Sequence, residues 1–433
     1  MSQRVNRIAF INPNGELETV SPDGSDRRLL TLGDLYFQFP AWSPDGRRIA
    51  AVGGAPDRAG VFVFEDEASD ALQLTLSRAI YESDREAPVY VFWSPDGQHL
   101  SFITNRPEER SLGLHIAAVT DASLSAFGQA THRLVATGRP CFWDWSADGK
   151  RILLHTGLAS EDDSQLKFID PFNPASGNAS IARPGLFQAP GIARSGRFWA
   201  FGQVNRAGEL QLVVDGRSAN NRMLVPHHGV AAMNWSPTRD QLAYISPTEP
   251  VRTYYGPLRV LDATTGKVTL LTDDVVLAFF WSPDGRYIAY FTLANIAEHI
   301  RLNILPNADA AARDGGFCNR AEVESEQAAE SGEIEDARTL WFNLWVVDLE
   351  QGEHRLITTF EPAETFVNHF LPFFDQYALS HRIWSPDSDA LVLPITKHDE
   401  DEERTIVYVV PMLRRGGLPR PIAEGSMAFW SQC

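Results

Sequence analysis

One five-residue motif recurs along this chain and constrains its fold more than any other feature. Trp-Ser-Pro-Asp-Gly occurs in full or in part at seven tryptophans, which are Trp42, Trp93, Trp145, Trp235, Trp281, Trp384 and Trp430. A weaker copy lies between the third and the fourth, where Ile192 takes the tryptophan position and Gly196 keeps the glycine. The eight copies follow at intervals of 43 to 52 residues, apart from one interval of 103. A regular period of this length indicates a repeat architecture.

Each repeat has the pattern of four short β-strands. The motif is followed by runs rich in branched and aromatic residues, such as 286–291 and 344–348, bounded by turn-forming residues. Four strands in about 40–50 residues are typical of one blade of a β-propeller. The motif itself predicts a tight hairpin between the innermost strand of a blade (strand a) and the next (strand b), because Pro, Asp and Gly suit successive turn positions. The tryptophan is expected to fill the wedge between neighbouring blades.

The two ends of the chain indicate how such a ring would close. The last copy stops just after Trp430, and residues 7–10 form the strand that should follow it. One blade would take strand a from the C-terminus and three strands from the N-terminus, which leaves no open sheet edge. We predict an all-β fold, a single domain over residues 1–433 with eight blades, or seven if the Ile192 copy is not a blade. The sequence at 21–24 lacks the tryptophan and predicts only a turn.

Composition argues against several classes of partner. The formal net charge is −18, and an acidic surface repels nucleic-acid phosphates and anionic lipid headgroups. Three widely spaced cysteines, Cys141, Cys318 and Cys433, form neither a disulfide framework nor a CxxC site, and they suit a reducing compartment. The sequence has no signal-peptide pattern at its start and no run of about 18 apolar residues. We expect a cytoplasmic protein and a monomer, with no nucleic-acid partner and no membrane insertion.

The repeat, with its glycine followed by Arg or Lys and then Ile or Leu, resembles the TolB-type propeller repeats over essentially the whole chain. Similar repeats occur in the propellers of the tricorn and prolyl-oligopeptidase families. The resemblance implies the fold but no particular activity. TolB is an exported periplasmic protein with an extra N-terminal domain, and the peptidases carry a hydrolase domain with a Gly-x-Ser-x-Gly elbow. This sequence departs from both, because it shows none of these features.

Loop lengths favour one face of the propeller for binding. The tight a–b turns are expected to leave little room, whereas the b–c and d–a loops of the opposite face are longer, and binding concentrates in loops. Blade seven carries an insertion at 293–339 between strands b and c, interpreted as an acidic cap or a docking arm. It also carries an aromatic d–a loop at 361–377, interpreted as a lid or a contact surface. The partner-binding candidates are Phe366, His369, Phe370, Phe373, Phe374, Asp375, Tyr377 and His381.

Candidate catalytic and metal-binding residues are few. His227 and His228 point to opposite sides of an extended chain, and the acidic runs at 161–163 and 399–403 lack the spacing of a Ca²⁺ loop. We predict no cofactor, no metal and no catalytic residue. The first hypothesis is a non-catalytic propeller scaffold that binds a protein or peptide. The alternative is a propeller lyase or hydrolase, because the oligogalacturonate lyases resemble this pattern and use channel-facing histidines with a metal; convergence of His369, His381 and carboxylates would favour it.

Overall fold

A computed structural model describes residues 5–31, 35–66, 78–119, 131–158, 164–173, 180–186, 188–218, 221–249, 253–294, 340–399, 402–412 and 417–432. Over these residues the chain is all-β, built from antiparallel sheets whose strands follow one another in chain order. The insertion predicted at 293–339 lies almost wholly outside the described residues, as do Cys318 and Cys433.

Four sheets in the first half of the chain each hold one copy of the motif. The first of them comprises β4 (Tyr36–Trp42), β5 (Arg48–Ala55), β6 (Arg58–Glu65) and β7 (Arg78–Ser83). The second comprises β8 (Pro88–Trp93), β9 (His99–Arg106), β10 (Ser111–Ala118) and β11 (His132–Gly138). The third comprises β12 (Cys141–Trp145), β13 (Ile152–Thr156) and β14 (Gln165–Ile169). The fourth comprises β15 (Gly191–Ile192), β16 (Phe198–Val204), β17 (Leu210–Gly216) and β18 (Met223–Val225).

The second half joins two repeats in one seven-stranded sheet. This sheet comprises β19 (Ala232–Trp235), β20 (Gln241–Ile245), β21 (Gly256–Asp262), β22 (Val268–Trp281), β23 (Tyr287–Leu293), β24 (Phe342–Asp348) and β25 (Glu353–Phe360). Strand β22 is 14 residues long and serves as the outer strand of one repeat and the inner strand of the next. A further sheet comprises β26 (Ala390–Asp399), β27 (Glu402–Pro411) and β28 (Arg420–Glu424). Trp384 joins this sheet through an isolated antiparallel β-bridge to Leu391.

The motif forms the predicted hairpin turn. In the copy at Trp42, the hydroxyl of Ser43 donates to Asp45 Oδ1 over 2.6 Å and accepts from the Arg48 backbone N–H over 2.9 Å. Gly46 adopts a φ of +69°, a left-handed conformation that glycine adopts without strain. The weak copy has the same turn, because the Gly196 N–H donates to the Ala193 carbonyl, and it follows strand β15. The prediction of a strand at Ile192, followed by the turn of the motif, is therefore confirmed.

The motif tryptophans link neighbouring inner strands. Several indole N–H groups donate to the backbone carbonyl just before the tryptophan of the preceding repeat. These bonds run from Trp42 to Phe429, Trp93 to Ala41, Trp281 to Asn234 and Trp384 to Phe280, at 2.9–3.2 Å. Each of these donors would otherwise be buried without a partner. The tryptophan therefore fills the space between repeats and also bonds one inner strand to the next.

Strands from both ends of the chain share one sheet. It comprises β29 (Ser426–Trp430), β1 (Ile8–Ile11), β2 (Leu17–Val20) and β3 (Arg28–Leu29), in that order. Trp430 pairs with Ile8, and the register shifts between Ala9 and Ile11. The sequence at 21–24 is only the turn between β2 and β3, as predicted.

This junction yields a test of the terminal pairing. Gly425 has a φ of +149°, and a Cβ there would lie 2.3 Å from the Ile11 carbonyl oxygen. We expect Gly425→Ala to lower the free energy of unfolding, measured in urea, by about 2–4 kcal/mol through backbone strain and overpacking. The control is Gly266→Ala, where φ is +74° and the site is open, with a loss of about 1 kcal/mol. Equal losses in the two variants would contradict the tight pairing.

Candidate functional site

The aromatic segment after β25 runs into the centre of the molecule. A π-helical turn (Phe366–Phe370), a 3-10 turn (Leu371–Phe373) and helix α1 (Phe374–Ser380) follow one another without a break. We call residues 366–380 the axial plug. Its rings pack against inner strands of several repeats, with centroid distances of 5.3 Å from Phe374 to Phe279 and 5.6 Å from Phe370 to Phe429. The plug therefore packs between the inner strands of these repeats.

Polar bonds fix the axial plug in one position. The Gln376 side chain donates to the Trp143 carbonyl over 2.9 Å and accepts from the Trp143 N–H over 3.1 Å, as an added strand would. The Asn234 amide donates to the Asp375 carbonyl over 3.2 Å, and the Tyr254 hydroxyl donates to the Leu371 carbonyl over 2.9 Å. These contacts reach separate repeats, so the plug ties distant parts of the chain together.

The structure buries most of the predicted partner-binding residues. Side chains at seven of the eight positions are buried, namely Phe366, Phe370, Phe373, Phe374, Asp375, Tyr377 and His381, and His369 is half-buried. Because these side chains are buried, they do not form the exposed contact surface that was one interpretation of this segment. The other interpretation, a lid of packed apolar residues, describes them better. The segment differs from that prediction because it enters the core and does not lie over one blade.

A cavity lies at the a–b face, which corrects the expectation that its tight turns leave little room. It has a volume of about 360 Å³. All eight repeats contribute lining residues at or just after their inner strands, namely Trp42, Trp93, Trp145, Ile192, Trp235, Trp281, Trp384 and Gln432. Residues 378–382, at the C-terminal end of the plug, also line it. The cavity lies between the turns of different repeats, so the shortness of each turn does not limit its volume.

Asp144 and Asn234 place polar groups in the cavity wall. The Asp144 carboxylate accepts from the Ile192 backbone N–H over 2.8 Å. Burial raises the pKa of Asp144 to about 7, because the charged form loses its hydration. Most other copies carry an apolar residue immediately before the motif tryptophan, such as Ala41 or Phe280. This departure from the repeat pattern is a signal in the sequence that could have identified Asp144 and Asn234, and the sequence reasoning missed it.

A chain of hydrogen bonds lies where the plug meets the cavity. His381 Nε2 faces the Phe39 carbonyl at 3.1 Å, and its Nδ1 faces Ser380 Oγ at 2.6 Å. A carbonyl only accepts, which assigns the proton to Nε2, and Ser380 then donates to Nδ1. Burial lowers the pKa of His381 to about 4, so the ring is neutral at physiological pH. Tyr90 Oη lies 2.6 Å from Ser380 Oγ and completes the chain.

The histidines and acidic runs do not gather into a metal-ligating set in the described part of the chain. No three His, Cys, Asp or Glu side chains there are placed to hold a metal ion. His381 lines the cavity, whereas the His369 ring packs 6.5 Å from the ring of Phe39. His227 Nδ1 bonds the Val225 carbonyl, and burial lowers the pKa of His227. The acidic run at 161–163 lies outside the described residues. The convergence that would favour a metal-dependent lyase is therefore not present among these side chains.

Comparison with solved structures places the chain in a class of fold. A eukaryotic initiation factor aligns over 99% of this chain and 98% of its own, with 10% identity and a TM-score of 0.50. The oligogalacturonate lyase of Vibrio parahaemolyticus aligns over 97% of this chain and 85% of its own, with 8% identity and a TM-score of 0.45. TolB of Acinetobacter baumannii aligns over 61% of this chain and only 63% of its own, with 16% identity and a TM-score of 0.37.

At these identities the similarity concerns the fold alone. The neighbours are β-propellers, and the antiparallel sheets of this chain belong to that all-β class. No family model matches the sequence, and no curated protein matches it. Among the helices that the structure describes, none is long and apolar enough to span a membrane.

Proposed function

We propose that this chain is a monomeric, non-catalytic β-propeller that binds a peptide segment of a protein partner in the cavity at its a–b face. In this proposal the eight repeats form eight blades, and β29 with β1 closes the ring. One observation carries the proposal: a single cavity takes lining residues from all eight repeats and has the axial plug along one side. A site that all repeats share is the natural place for a ligand of a propeller.

The volume and the lining residues of the cavity favour a peptide as the ligand. A volume of about 360 Å³ is in the range of ligand sites. The turn prolines and the half-buried Trp281 supply apolar surface, and tryptophan is enriched in the energetically dominant parts of protein interfaces. Polar groups lie among them, with Asp144, Asn234 and Arg194 on different repeats. A peptide offers apolar side chains and backbone hydrogen-bonding groups together, which matches this mixture.

Peptide selection with two matched variants tests the site. Random peptides displayed on phage are selected against the whole chain, and affinities of selected peptides are measured by fluorescence polarisation. Ala147 lies at the cavity mouth, so Ala147→Trp should weaken binding about tenfold or more by blocking entry. Ala207 lies in an exposed turn between β16 and β17 on the opposite face, and Ala207→Trp should leave affinity unchanged. Peptides that bind both variants equally well, or an empty selection, would overturn the proposal.

A second candidate function is a propeller hydrolase or lyase that acts on a peptide or oligosaccharide. Asp144 favours it, because a buried carboxyl with a pKa of about 7 in a cavity is typical of a general acid or base. Turnover of a peptide or oligosaccharide substrate that is lost in Asp144→Asn would support this enzyme over the binding protein.

A further inference from the structure

Two adjacent repeats lack an aspartate that four other repeats use at the cavity rim. In four turns, at Asp45, Asp96, Asp148 and Asp284, an aspartate accepts from the motif serine over 2.5–2.6 Å. The repeats at Ile192 and Trp235 replace this aspartate with Ser195 and Thr238. The same two turns add an arginine each, Arg194 at the proline position and Arg239 at the glycine position. These two turns thus lose the carboxylate and gain a cation.

The substitutions create a basic sector on an acidic protein. Arg194, Arg197 and Arg239 line one surface depression of about 440 Å³ together with Asp240. Arg197 pairs with Asp240, whose side chain is only 6% exposed and also accepts from Ser195 Oγ over 2.5 Å. Arg239 reaches Glu350 only at 3.8 Å, and both side chains are half exposed, so this pair contributes little. Three guanidinium groups therefore line the depression beside Asp240, a carboxylate that is already paired.

Arg194 connects this sector to the central cavity. Its side chain is exposed and lines both the cavity and the depression, as does Pro237. No carboxylate of the described residues lies within 4.0 Å of the Arg194 guanidinium. A ligand that enters the cavity therefore passes a guanidinium at the rim that no carboxylate of the described residues neutralises.

We propose that the peptide bound in the cavity is acidic and that its carboxylates contact Arg194 and Arg239; this inference rests on the proposed function. Guanidinium groups bind carboxylates through paired, charge-assisted hydrogen bonds. A peptide with one or two carboxylates matches a sector of this size. A long polyanion such as nucleic acid would also meet the repulsion of a chain whose net charge is −18.

The selected peptides and a charge-matched pair of variants test the inference. Selected peptides should be rich in Asp and Glu, and replacing these residues with Asn and Gln should weaken binding about tenfold or more. The double variant Arg194→Glu with Arg239→Glu should weaken it to a similar extent. The control is Arg47→Glu with Lys150→Glu, which changes the net charge equally on the same face but in turns that keep their aspartate. The control should change affinity by less than about threefold.

The possible failures are distinguishable. Peptides without acidic enrichment that still lose binding in Ala147→Trp would overturn the inference and leave the proposed function standing. Equal losses in the two double variants would overturn it too, because they would indicate a general charge effect. Peptides insensitive to Ala147→Trp would overturn the proposed function itself. A single-stranded DNA probe that bound more tightly than the acidic peptides, with the same dependence on Arg194 and Arg239, would overturn the assignment to a peptide.

Discussion

Replacing Phe374 with alanine is expected to lower the free energy of unfolding by about 3–5 kcal/mol, the range for a large buried aromatic residue. The side chain is fully buried in the axial plug. Its ring lies 5.3–5.9 Å from the rings of Tyr254, Phe279 and Phe280, which belong to two repeats. The loss of the ring leaves a cavity where these repeats meet, and the rigid strands around it cannot close it. Urea denaturation followed by tryptophan fluorescence measures the change.

The control for this variant is Phe172→Ala. Phe172 is 44% exposed and lies in a turn after β14. Its loss should cost less than about 1 kcal/mol, because little buried surface is removed. Similar losses in the two variants would mean that the plug is not part of the core. An additional unfolding step in Phe374→Ala, at lower urea than the main one, would show that the plug unfolds separately.

The contribution of two buried carboxyls to stability is expected to fall as the pH rises from about 4 to about 7. Burial raises the pKa of Asp144 to about 7 and that of Asp375 to about 7, from an ordinary value of 3.8. Between these values the folded chain holds protons that the unfolded chain has lost, so raising the pH favours unfolding. A shift of about three units corresponds to at most about 4 kcal/mol for each carboxyl. Well above pH 7 both carboxyls are charged in the folded chain, and their full destabilising effect is present.

Asp144→Asn isolates the contribution of one carboxyl. The amide still accepts from the Ile192 N–H but cannot ionise, so the variant should be more stable than the parent chain. The gain should be larger at pH 8 than at pH 5, as measured by thermal or urea unfolding. Asp148 provides the opposite case in the same repeat, because the Ser146 hydroxyl bond lowers its pKa. Asp148→Asn should therefore destabilise the chain at pH 8 and less so near pH 3. A gain from Asp144→Asn that does not vary with pH would contradict the assignment.

The repeat pattern was sufficient to predict the inner strands and their turns. The motif fixes both the turn chemistry and the tryptophan that bonds to the preceding repeat, so local sequence and packing agree at each copy. Even the copy at Ile192 is recognisable in the sequence, because it keeps Gly196 and the repeat interval although it lacks the tryptophan. The pairing of Ile8 with Trp430 followed from the interrupted last copy.

The candidate site could not be predicted in the same way. The aromatic run from Phe366 to Tyr377 shows that the segment must be buried, but not whether it covers a blade or enters the centre. That choice depends on the space between inner strands, which is a property of the assembled repeats. The cavity at the a–b face was missed for the same reason. In the sequence, Asp144 and Arg194 are only departures from the repeat pattern. Their location at the cavity follows only from the structure.

A crystal structure of the chain with a selected peptide would test the central claim most directly. The proposal predicts that the peptide lies in the cavity at the a–b face, between the turns of the repeats, beside the plug and next to Arg194. A peptide seated on the opposite face, among the b–c and d–a loops, would contradict it and return the site to the loops that the sequence first favoured.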